Sequence, residues 1–103
     1  MIRVTVDLLN GDAIPEGKAK QWALDLIESA QKSSKHEWIE ITIGCEYMVT
    51  AITYAMTKLK ASDSLVVFVH EGEEISVKDG YPQRPTWENL ISKIDLKLLT
   101  AFQ

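Results

Sequence analysis

The chain has 103 residues, 46% of them hydrophobic and 25% charged, the make-up of one ordinary globular domain that needs no disulfide or metal to hold its core. Its net charge of −4 argues against a general nucleic-acid binder, which carries a basic patch or stripe. The single cysteine, Cys45, excludes an intrachain disulfide. With a start that reads as a strand and not as a leader, it sets the expectation of a reducing, cytoplasmic compartment.

Ile2, Val4, Val6 and Leu8 alternate with Arg3, Thr5 and Asp7, the period of two that marks a half-buried strand, here over 2–9. Asn10-Gly11-Asp12 closes it with turn chemistry. Pro15 suits the first turn of a helix. Ala19, Trp22, Ala23, Leu26, Ile27 and Ala30 then recur at helical spacing against a charged opposite side, which predicts a one-sided surface helix over 15–32. Ile39, Ile41 and Ile43 alternate in a second strand over 37–43, ended by Gly44. A strand-helix-strand order makes these two strands parallel where they share a sheet.

Residues 45–60 are the unusual stretch, because nothing between Glu46 and Lys58 is charged. Met48, Ala51, Ile52, Ala55 and Leu59 form one helical stripe. Tyr47, Val49, Tyr54 and Met56 fall off that stripe and are also largely apolar, so the predicted helix needs cover on two sides. Its β-branched residues, Val49, Thr50, Ile52, Thr53 and Thr57, weaken helix propensity. The length of the run, with no turn signal inside it, still favours a helix. Residues 65–69 are apolar at every position, which predicts a strand buried on both faces and central in its sheet.

Residues 70–74 read as a hairpin loop, 75–77 as a short returning strand and 79–85 as an irregular loop. Thr86 is a candidate N-cap for a helix to about residue 93. After it, 94–102 reads equally as more helix or as a last strand. The order β-α-β-α-β-β-α predicts one compact α+β domain over 1–103. Its sheet is mixed, its helices lie mainly on one face, and an extra C-terminal strand is possible.

If the three long strands are parallel, Asp12, Cys45 and His70 emerge at one carboxyl edge, where open α/β sheets place their sites. A cysteine nucleophile, a histidine base and an orienting carboxylate could assemble there. The plain reading, a lone buried cysteine and a solvated histidine, outweighs it, since no local catalytic signature accompanies them. Glu71, Glu73, Glu74 and Asp79 match no calcium loop. Cys45, His36 and His70 lack zinc spacing, and there is no glycine-rich phosphate loop. No metal and no cofactor are expected.

The surplus apolar surface of 45–60 points to an interface instead, with Tyr47, Val49, Tyr54 and Met56 as contacts. Tyr81, Arg84 and Trp87 join them, from a proline-stiffened loop of the residue types enriched at interface hot spots. The expected function is a small non-enzymatic protein-interaction module, homo-oligomeric through helix 45–60. The alternatives are a small enzyme or thiol-dependent protein centred on Cys45 with His70 and Asp12, and a binder of an apolar small molecule lined by Tyr47, Tyr54 and Met48. A second copy or another protein is the expected partner, with nucleic acid and membrane disfavoured.

Overall fold

The computed structural model describes residues 1–33 and 38–83. The expected helix at 86–93, the helix-or-strand alternative at 94–102, and Arg84, Trp87 and His36 lie outside the described residues. The elements in order are β1 (Ile2–Val6), α1 (Glu16–Lys32), β2 (Ile39–Ile43), α2 (Glu46–Lys58), β3 (Val66–His70), β4 (Glu73–Ile75), β5 (Val77–Lys78) and β6 (Tyr81–Pro82). A single turn of 3-10 helix, Asp63–Leu65, precedes β3.

The fold is mixed α+β. β1 to β4 form one sheet in the order β2-β1-β3-β4, with the first three strands parallel and β4 antiparallel. β5 and β6 form a separate small hairpin. The alternation read in β1 is kept: Ile2, Val4 and Val6 are buried, while Arg3 and Thr5 are half-buried. Both helices pack along one another on the face that carries Ile2, Val4, Val6 and Phe68. They run the same way. Near their starts the Tyr47 hydroxyl donates to the Ile14 carbonyl, and near their ends Gln31 Nε2 donates to the Leu59 carbonyl at 3.4 Å.

This arrangement has an uncommon consequence. The step from β1 to β2 moves one strand to one side, and the step from β2 to β3 moves two strands back. With both helices on the same face, the two crossovers have opposite hands. One of them is therefore the left hand, which is rare in such units. Phe68, Ile2, Ile27, Ile43, Met48, Ile52 and Met56 fill the space between helices and sheet. Each such side chain removed from water is worth about 1.5–3 kcal/mol.

Four details differ from the sequence reading. First, β1 stops at Val6 and not near residue 9, because the Asp7 carboxylate takes up the backbone N–H groups of Leu9 and Asn10, both at 3.1 Å. Second, β3 is an inner strand but is not evenly covered. Val67 is only half-buried, on the face where Arg3 reaches Glu74 at 3.3 Å. Third, residues 75–77 are divided between β4 and β5, and 79–82 are ordered as a hairpin in place of the expected irregular loop. Asp79 and Gly80 both have positive φ (54° and 86°), the Asp-Gly conformation of a two-residue hairpin turn.

The fourth concerns the second side of α2, which the chain covers for itself. Val49, Thr50, Thr53 and Met56 are all buried. The β5–β6 turn lies against this side, close enough that a Cβ on Gly80 would meet Thr57 Oγ1 at 2.9 Å. Asp63 clamps the turn from the loop after α2. Its two carboxylate oxygens accept the N–H groups of Asp79 at 2.9 Å and Gly80 at 3.0 Å.

Candidate functional site: the carboxyl edge of the sheet

β1, β2 and β3 end side by side. Val6 is level with Ile43 on one flank and with His70 on the other. The loops leaving β1 and β3 then diverge. After β1, Asp7 organises a tight turn, and Gly11 N–H closes it on the Asp7 carbonyl at 2.8 Å. The N–H groups of Asn10 and Leu9, with the Asn10 side chain, hold the Asp7 carboxyl below its ordinary value, so it is ionised.

The chain next crosses the end of β2 with Gly11 against Gly44. A Cβ on Gly11 would lie 2.3 Å from the Ile43 carbonyl carbon, and one on Gly44 would lie 2.5 Å from the Gly11 oxygen. Asp12 then pairs along the outer side of β2, donating to Thr42 O at 3.1 Å and accepting from Gly44 N–H at 2.8 Å. After β3 the chain turns the other way, through Glu71 and Gly72, into β4.

Between the diverging loops lies a crevice of about 440 Å³, lined by Thr5, Val6, Asp7, Leu8, Leu9, His70, Glu71 and Gly72. Crevices of this kind, outside the carboxyl ends of strands where the connections part, are where open α/β sheets hold ligands. Leu8 and Leu9 form its lip and stand 51% and 93% exposed. Sequence reading missed this pair, since Leu8 continued the alternation of β1. The signal for it was Asp7 three residues before Asn10-Gly11, a side chain able to start a turn at that point. Trp38, the other large exposed apolar side chain among the described residues, sits at the opposite edge, just before β2.

Asp12, Cys45 and His70 do share the carboxyl edge, but the sheet order spreads them along it. Asp12 lies outside β2, Cys45 follows β2, and His70 ends β3 with β1 between. Strands are spaced by about 4.8 Å, so the ends of β2 and β3 are on the order of 10 Å apart. The group beside Cys45 is instead the Tyr47 phenol. Its hydrogen bond with Cys45, followed by burial, raises the pKa of the phenol. The same hydroxyl holds the Ile14 carbonyl, so this cluster ties the entry of α1 to the start of α2.

Of the expected interface residues, Val49 and Met56 are 5% and 1% exposed and belong to the core. They have no surface to offer a second copy. Tyr54 is half-buried, with Lys20 Nζ 5.8 Å from its ring centroid, a cation–π contact between the helices. Tyr81 is half-buried in β6. Met48 is buried and Tyr47 is engaged at Ile14, so two of the three residues expected to line an apolar ligand pocket serve the packing of α1 on α2. Among the described residues no three His, Cys, Asp or Glu side chains are placed to hold a metal ion, and no helix is long and apolar enough to cross a membrane. No family model, curated protein or solved structure matches this chain.

Proposed function

We propose that this chain is a non-enzymatic protein-interaction module that presents Leu8 and Leu9, at the carboxyl edge of its sheet, to a protein partner. The observation that carries this reading is the exposure of the two leucines on a loop whose backbone is fixed at both ends. The Asp7 carboxylate holds it on one side, and the Gly11–Gly44 contact with Asp12 pairing holds it on the other. A loop fixed in this way keeps them out and loses little entropy when they are covered. Self-association through α2 has less to draw on, because Val49 and Met56 are already inside the chain. A reducing cytoplasm suits the single cysteine.

The test is the double substitution Leu8→Ser/Leu9→Ser, followed by urea denaturation. A pair of leucines kept for a partner leaves stability within about 0.5 kcal/mol of the parent, as for surface changes generally. A loss of about 2 kcal/mol or more would show that the leucines serve the fold, and the reading would fall.

A further inference from the structure

We infer that the crevice between β1 and β3 receives the lysine or arginine side chain of a partner segment whose neighbouring residues are apolar and lie on Leu8 and Leu9. The inference rests on the interaction reading above and supplies the chemistry of the partner. Its first support is charge. Asp7, held ionised by the turn, and Glu71 both line the crevice, and none of its described lining residues is Lys or Arg. Glu73 is level with His70 at the same edge. The cation nearest along β1, Arg3, is engaged with Glu74.

The second support is shape. The crevice, about 440 Å³, is bounded by two turns and two strand ends, and so has room for a long side chain. The exposed leucines beside it offer the apolar surface that the flanking residues of a peptide would cover. The third support is symmetry. A two-fold contact sets the same patch of both copies face to face, which would bring Asp7 and Glu71 of one copy against those of the other in a chain of net charge −4. A basic segment on a different protein meets no such repulsion, and the field of the acidic chain would steer it in.

The experiment titrates the ¹⁵N-labelled full chain with two blocked tripeptides, acetyl-Leu-Lys-Leu-amide and acetyl-Leu-Glu-Leu-amide, at low and high salt. The expected result is saturable shifts of the amides at 5–9 and 70–72 with the lysine peptide and not with the glutamate peptide. Affinity should fall at high salt. The variant Asp7→Asn/Glu71→Gln should weaken binding by roughly tenfold, at about threefold to fivefold per exposed pair. Asn at position 7 keeps an acceptor for the turn, so the variant stays folded. Equal response to both peptides, shifts elsewhere, no response, or no effect of the variant would each overturn the inference. So would matching shifts from butylamine alone, which assign the crevice to small amines, or from raising protein concentration alone, which assign it to a second copy. Failure of the interaction reading itself is seen separately, in the stability of the leucine variant.

Discussion

Gly11 and Gly44 hold the candidate site together through what they lack. Their backbones touch where the loop after β1 crosses the end of β2, and a Cβ at either position overlaps main-chain atoms that cannot swing aside. Gly11→Ala or Gly44→Ala is expected to cost about 2 kcal/mol or more, as overpacking against a rigid neighbour does. Gly17, in the first turn of α1, has nothing within 4 Å of the place a Cβ would take. Gly17→Ala should therefore stabilise the helix by up to about 1 kcal/mol. Urea midpoints of the three variants check the contrast. Asp7 gives a pH signature to the same loop. Its folded pKa lies below the ordinary 3.8 because Asn10 and Leu9 donate to it, so its contribution is fully present above that value and is lost as pH falls through the folded pKa. Carboxyl ¹³C titration should give a midpoint below 3.8 for Asp7, and Asp7→Asn should remove that part of the acid-side loss of stability.

At the scale of elements, α2 buries eight of its thirteen residues, and two of its buried groups are left unsatisfied. The hydroxyls of Thr50 and Thr53 lie out of water without a hydrogen-bond partner. Valine has the same shape without the polar atom. Thr50→Val and Thr53→Val should each raise stability by about 1 kcal/mol, the desolvation cost of an unmade hydrogen bond. Thermal denaturation of each variant tests this. Asp63→Ala should lower stability by about 1–2 kcal/mol, because it removes both acceptors for the β5–β6 turn. The strands β1 and β2 and helix α1 were legible from period, since each spans several repeats of its pattern, and α2 was legible from the length of its uncharged run with no turn signal inside it. The β5–β6 hairpin was not, because two residues per strand are too few to show alternation, and its clamp comes from Asp63, far away in sequence. The carboxyl edge of the site was legible in the same partial way. Parallel strands foretold that Asp12, Cys45 and His70 would share an edge. Their separation along it depends on β1 lying between β2 and β3, a long-range pairing that no local pattern encodes.

For the whole molecule, the deciding quantity is how much apolar surface remains after the chain has covered itself. α2 was the obvious source, yet Val49 and Met56 are enclosed, and the β5–β6 turn lies over its second side. What remains at the carboxyl edge is the leucine pair beside an ionised aspartate and a glutamate. A two-fold contact through that edge must overcome repulsion between like charges, which salt screens over about 10 Å at 0.1 M and about 3 Å at 1 M. Light scattering over a wide concentration range should therefore give the mass of one chain at low salt. Any association should grow with salt and disappear in Leu8→Ser/Leu9→Ser. Head-to-tail contact would behave differently, adding copies without closure as concentration rises. A closed dimer that forms equally at all salt concentrations and survives the leucine substitutions would place the contact elsewhere. It would then return attention to Tyr47 and Tyr54 on α2, whose rings are only half-buried within the chain.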